Sequence, residues 1–280
     1  MRSFLIFLLT GATLWVASCA NTSHQSLGPG PGGAHEAKKV SSLTVMAYNI
    51  HHCNPPSKPG LIDLEAIVNT IRKQAPDLVA LQEVDVRTER SGGVHQAEEI
   101  AKRLNMHFFF GKAIDFQDGE YGVALLSRYP LSEAIVHRLP TKAETKGEPR
   151  VLATAKVTLP DGTTLRFGST HLDAQRDSVN RELQIGEIVK VASAEPLPFL
   201  LAGDFNATPG TGTINLLDQA FTRTCQECAP TIPVLKPTKA IDFIAYRHPG
   251  GKFSVSSHKV IPETYASDHL PVTAIIRVQK

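Results

Sequence analysis

Apolar positions along the chain follow two periods. LTVMAYNI (43–50) is apolar almost throughout, as in a strand buried on both faces. Leu64, Ile67, Val68 and Ile71 then recur at i, i+3, i+4 and i+7 and predict a helix. DLVALQEVD (77–85) reads as a second strand, and Ala97, Ile100, Ala101 and Leu104 as a second helix. Strand-like stretches follow in succession: HFFFGKA, YGVALLSRYP, SEAIVHRL, RVLATAKVTL and TLRFGSTHL. Ile185, Ile188, Val189 and Ala192 mark a third helix, LPFLLAGDFN another strand, and TINLLDQA a short helix. AIDFIAYR, KFSVSSHKV and LPVTAIIRV close the chain as strands. Helices beside buried strands, mixed with runs of hairpin strands, predict an α/β protein of two packed sheets with helices outside them. No linear repeat and no second linker appears, so residues 43–280 are expected to form one domain.

The first 42 residues follow another pattern. Arg2 precedes an apolar run from Phe4 to Val16, short for a bilayer span of about 20 residues. It fits the h-region of a secretory signal peptide. The run ends in Val16-Ala17-Ser18-Cys19, which resembles the lipobox of bacterial lipoproteins. That resemblance implies a signal peptide over 1–18, lipidation of Cys19 and a membrane-anchored protein of the bacterial cell envelope. Ordinary cleavage after small residues and an uncleaved anchor are the alternatives. Residues 19–42, rich in Gly, Pro and Ser, read as a flexible tether.

The 280-residue chain is 42% hydrophobic, with 29 basic and 27 acidic residues, which describes a soluble globular protein. Removal of residues 1–18 takes only Arg2 from the charged set, so the balance stays near neutral. No basic tail or stripe points to strong nonspecific nucleic-acid binding. With Cys19 lipidated, Cys53, Cys225 and Cys228 remain. The unpaired C-x-x-C at 225–228 does not make a zinc ribbon, and in an exported chain a local disulfide is expected there.

Against the strand map, polar residues with chemical capacity gather where apolar runs stop: Asn49, Glu83, His171, and Asp204 with Asn206. Asp242 lies inside AIDFIAY, where a bare carboxylate is costly unless paired or metal-bound. Asp268 and His269 stand just before the last strand. Each alone has an ordinary reading as a cap, turn or ion pair. Together they sit where a rigid scaffold hands over to loops, a common place for chemistry. Carboxylates and a carboxamide are hard oxygen ligands suited to Mg²⁺, with Mn²⁺ or Ca²⁺ as alternatives. A His paired with a buried Asp can hold a proton, and a neutral Asn can bind a phosphate oxygen without adding charge. Asp204 and Asn206, two residues apart, are expected to point to one side. Together these groups supply what metal-assisted hydrolysis of a phosphoester needs.

MAYNI, LQEVD, YGVALLSRYP, STHLDA, GDFNATP, AIDFI and SDHLPV resemble, in this order, the motifs of the endonuclease/exonuclease/phosphatase superfamily. That superfamily includes deoxyribonuclease I, abasic-site endonucleases, neutral sphingomyelinases and inositol-polyphosphate 5-phosphatases. The likeness covers about Val45 to Val272 and implies a four-layer α/β/β/α sandwich of two mixed sheets. It implies Glu83 as principal metal ligand, with Asn49 and Asp268 beside it. Asp204 would orient or deprotonate the attacking water, and Asn206 would hold the phosphate. His269, paired with Asp242, would contact the phosphate or act as base, and His171 would stabilise phosphorus or assist the leaving group. Arg150 is a further phosphate contact or, equally, a loop-edge salt bridge. His51 and His52 read as turn residues or as the mouth of the site, and Tyr121 and Arg128 as structural.

The expected activity is hydrolysis of a phosphodiester by a monomer, the substrate being a lipid headgroup, a small phosphodiester or nucleic acid. An exported deoxyribonuclease I-like endonuclease and a non-catalytic module of the same fold are the alternatives. A calcineurin-type metallophosphoesterase needs Asp-x-His and Gly-Asn-His, and neither occurs. Loops 113–120, 141–149 and 222–239 are expected to decide the substrate.

Overall fold

The apolar runs from residue 43 onward have become strands or helices in the computed structural model, which describes residues 40–249 and 253–278. The signal peptide, Cys19 and all but the last residues of the tether lie outside the described residues. Strand β1 (Ser42–Asn49) leads through α1 (Leu64–Gln74) to β2 (Leu78–Val86). After α2 (Gln96–Leu104) come β3 (His107–Phe116) and β4 (Gly119–Ser127). The second half holds β5 (Leu131–Arg138), β6 (Val151–Thr158), β7 (Thr164–His171), α3 (Val179–Ala194) and β8 (Phe199–Asp204). It continues with α4 (Gly212–Ala220), β9 (Thr222–Arg223) and β10 (Asp242–Arg247), and closes on β11 (Phe253–Val260) and β12 (Val272–Val278).

The strands form two six-stranded sheets, ordered β11-β12-β1-β2-β4-β3 and β5-β6-β7-β8-β10-β9. Each contains one central parallel pair joined by a crossover helix: β1–β2 through α1 and β7–β8 through α3. All other pairings are antiparallel. Three apolar clusters separate four layers. Val45, Ala47, Ala80, Phe167, Leu200 and Ala202 pack between the sheets. Met46, Tyr48, Val79 and Leu81 pack outward under α1 and α2. Phe199, Leu201 and Phe243 pack outward with residues of α3 and α4. The result is the α/β/β/α sandwich, and it explains the continuous apolar runs: both faces of the central strands are buried.

Strand parity carries this core to one rim. Side chains of alternate residues share a face, so Val45, Ala47 and then Asn49 face the other sheet, as do Leu200, Ala202 and then Asp204. The parallel pairs place Asn49 beside Gln82, and His171 beside Asp204. Asp242 opens β10 directly opposite Asp204. The polar residues at the strand ends are thus the last rungs of the inter-sheet core. Close backbone approach at this rim requires Gly203, where a Cβ would stand 2.1 Å from the Thr170 carbonyl oxygen.

Three expectations need correction. β2 does not end on Glu83 but bulges there: Leu81 faces Ala124 and Val84 faces Gly122, so Gln82 and Glu83 share the place of one residue. The extra residue breaks the alternation and turns Glu83 to the same side as Gln82. Asn206 lies past the end of β8 at φ 47°, so strand alternation does not position it. The supposed loop 113–120 is mostly strand, because Gln117 and Asp118, both left-handed (φ 47° and 58°), close β3 and β4 in a two-residue hairpin turn. The Cys225–Cys228 disulfide is present, and the 222–239 segment carries the two-residue strand β9.

Candidate active site

Asp204 lies at the centre of the rim, 1% exposed. Its Oδ1 accepts the Asn206 amide N–H at 2.8 Å, and its Oδ2 accepts from Asn49 Nδ2 at 3.1 Å. Two imidazoles flank the same oxygen, His171 Nε2 at 3.5 Å and His269 Nε2 at 3.7 Å. Burial and the neighbouring Asp242 carboxylate push the Asp204 carboxyl up to about 7, against the opposing pull of His269.

His269 is held from behind. Its Nδ1 lies 3.0 Å from Asp242 Oδ2, and that carboxylate also accepts the Thr231 hydroxyl. Burial disfavours the imidazolium, but Asp242 and Asp204 outweigh it and raise the His269 pKa well above its ordinary value. Asp242 therefore has the partner that its apolar neighbours demand. His171 is the opposite case. Burial and the adjacent Arg150 guanidinium keep it neutral. Arg150 Nη1 approaches His171 Nδ1 at 3.3 Å, which leaves the ring proton on Nε2, facing Asp204. Arg150 also pairs with Glu148 at 2.8 Å, the salt bridge that was one of its two expected uses. Tyr121 is buried, as a structural residue would be, and borders Arg150 and His171. Arg128 packs as expected, donating to the Pro76 carbonyl.

Glu83 approaches from the other sheet. Its Oε1 accepts Asn49 Nδ2 at 2.9 Å, so one carboxamide joins Glu83 to Asp204. Burial raises its pKa, but His52, His171 and Asn49 outweigh burial and hold the carboxyl well below the usual range. Asn206 gives one amide hydrogen to the Leu172 carbonyl, leaving the other for a ligand. Asp268 Oδ1 is 3.4 Å from Ser267 Oγ. Among the described residues, two triads of ligand atoms fall within 4.8 Å of one another: Asp204/Asp242/His269 and His51/His52/Glu83. Asp268 belongs to neither. A buried anionic carboxylate beside a carboxamide and imidazoles suits a divalent cation, and Glu83 and Asn49 would hold it.

Sequence reasoning passed over several contributors. Gln82 Nε2 donates to Ser169 Oγ, and Ser169 Oγ in turn to the Leu81 carbonyl, joining the sheets directly beneath the site. Thr231, from the segment that carries the disulfide, supports Asp242. His51, His52 and Cys53 form a short turn in which all three are left-handed, at φ 44°, 43° and 60°. Non-glycine residues enter that region at a cost of about 1 kcal/mol or more each. The parity of the inward strand positions could have found Gln82 and Ser169; His51 and His52 were already read as turn residues or as the mouth of the site, and no local signal marks Thr231.

Two sheets thus converge on a buried carboxylate, two imidazoles and a carboxamide. Residues 46–269 match the Endonuclease/Exonuclease/phosphatase family, and the chain belongs to that family, whose members are phosphoester hydrolases. It is 27% identical over 255 residues to the uncharacterized protein YbhP of Escherichia coli K12, covering 85% of this chain and 97% of that one. Among solved structures, the endonuclease/exonuclease/phosphatase of Beutenbergia cavernae superposes with a TM-score of 0.73 at 23% identity, covering 85% of this chain and 72% of that one. The mannosyl-6-phosphatase Bt3783 of Bacteroides thetaiotaomicron gives 0.67 at 18% identity, covering 84% and 99%.

Proposed function

We propose that this protein hydrolyses phosphoesters, phosphodiesters first among them, by divalent-metal-assisted attack of water on phosphorus. The observation that carries the reading is Asp204 Oδ2, shared by Asn49, His171 and His269 from both sheets. A carboxylate with a pKa near 7 is matched to accepting a proton from water at neutral pH. His269, cationic beside Asp242, is already protonated, which favours Asp204 as the base and His269 Nε2–H as donor to a phosphoryl oxygen. His171 Nε2–H, the free amide hydrogen of Asn206 and Arg150 would meet the remaining oxygens as charge develops. A cation on Glu83 and Asn49, Mg²⁺ in the first instance, would supply positive charge for the phosphoryl and leaving oxygens.

We also infer export and tethering through Cys19. The Cys225–Cys228 disulfide supports this, since such bonds persist in oxidising compartments. Among the described residues no helix is long and apolar enough to cross a membrane. The test of activity is release from bis-p-nitrophenyl phosphate, plasmid DNA and sphingomyelin with Mg²⁺ or with EDTA. Turnover is expected with metal only; equal rates in both would refute the mechanism. Preference for plasmid DNA would favour a nuclease of the deoxyribonuclease I type. Palmitate labelling should disappear in Cys19→Ala, and labelling that persists would overturn the lipoprotein reading.

A further inference from the structure

We propose that His51 and His52 join Glu83 in a mixed nitrogen–oxygen metal site, which binds a transition-metal ion more tightly than Mg²⁺. The inference rests on the metal-dependent reading and goes beyond it by naming two ligands and the class of ion. One ligand atom from each residue already lies within 4.8 Å of the other two. His51 Nδ1 is 2.8 Å from the Asn54 carbonyl oxygen, which can only accept, so the proton sits on Nδ1 and the lone pair on Nε2. A ring nitrogen anchored on a backbone carbonyl is the usual outer support of a metal-bound histidine. His52 Nδ1 is buried, has no hydrogen-bond partner and stands 3.9 Å from Glu83 Oε2. At that distance Glu83 is an electrostatic neighbour rather than a hydrogen-bond acceptor, which leaves room for a cation between the two groups.

The backbone carries the second observation. Three successive left-handed residues persist only where their surroundings enforce them, and such strain gathers at binding sites. Here Asn49 Oδ1 accepts the His51 N–H, Gln96 donates to the His52 carbonyl, and Cys53 is fully buried. The turn is therefore held beside the bulge of β2 from three directions, and its two rings meet edge to face 4.5 Å apart. Imidazole prefers borderline transition metals such as Zn²⁺ and Fe²⁺, whereas all-oxygen sets suit Mg²⁺, Ca²⁺ and Mn²⁺. Mn²⁺ therefore serves as the paramagnetic probe, and nitrogen ligation is what would set its affinity above that of Mg²⁺.

The test uses chelator-stripped protein titrated with Mn²⁺ and Mg²⁺ by calorimetry, with pulsed EPR of bound Mn²⁺ to detect nitrogen ligands. Wild type is expected to bind Mn²⁺ at least tenfold more tightly than Mg²⁺ and to show ¹⁴N coupling. His52→Asn should weaken Mn²⁺ binding about tenfold, the scale expected for a lost ligand interaction, and diminish that coupling. Because Asn tolerates the left-handed region, the metal-free variant should melt at or above the wild-type temperature, which controls for misfolding. His51→Ala provides an independent second variant. Mn²⁺ bound without ¹⁴N coupling, or Mn²⁺ affinity unchanged in both variants, would overturn the site while leaving metal-dependent hydrolysis intact. Absence of any divalent binding would overturn both.

Discussion

Replacing Asp204 with Asn keeps the side chain's size but removes its charge, its capacity to take a proton and one of the two acceptor oxygens that serve the Asn206 amide and Asn49. Loss of a positioned base costs typically about 10²–10⁴-fold, so kcat of Asp204→Asn should fall by that factor with little change in KM. An unchanged kcat would remove Asp204 from the proton path. At this scale the sequence was informative where burial makes polarity costly. Asp242 inside AIDFIAY had to have a partner, and its partners are His269 and Thr231. It was silent where backbone geometry decides. Nothing in NIHHC announces three left-handed residues, and nothing in GDFN says that Asn206 leaves the strand, because both depend on contacts made by distant segments.

Helix α2 makes an element-scale case. Its N-cap is His95, whose ring accepts the Glu98 amide at 3.2 Å and therefore must be neutral there. Burial holds its pKa below the ordinary 6.5, so the unfolded chain binds the proton more readily. Stability from this cap is present above about pH 6.5 and is lost as pH falls through the lower folded value. His137 and His258, also lowered by burial, act in the same direction. The raised pKa values of His269 and Asp204 act in the opposite direction, so the cap is read by difference. In thermal unfolding from pH 7.5 to 5 the wild-type midpoint should fall relative to that of His95→Asn, which caps without titrating. A cap is worth about 1 kcal/mol, and identical slopes would show that His95 does not contribute. The helices and strands themselves were legible from periodicity. The bulge at Gln82 and Glu83 was not, because it is defined by the register of β4 against β2.

For the whole molecule, the site joins two halves, each supplying anions and imidazoles. A cation bound only by the folded state adds RT ln(1 + [L]/Kd), about 2.7 kcal/mol at a hundred times Kd. Melting temperature should rise with added divalent ion, return to the metal-free value with EDTA, and barely respond in Glu83→Gln. An equal rise in that variant would move the cation elsewhere. The pairing of the two sheets was predictable from alternating runs of strands and helices. Which strands sit at the centre of each sheet was not, since that follows from the parallel β1–β2 and β7–β8 pairs, and these form across the lengths of α1 and α3.

β1 lies between β2 and β12, with Thr44 opposite Ile275. The Ser267 hydroxyl donates to the Asn49 carbonyl across 218 residues of sequence. The earliest strand of the domain therefore waits for the latest. During synthesis, Asn49 and Glu83 emerge long before His269, and the sheet that carries them stays open until β12 arrives. Such distant pairing is slow to form, so the rim that gathers Asn49, Glu83 and His269 is assembled only once β12 has joined β1.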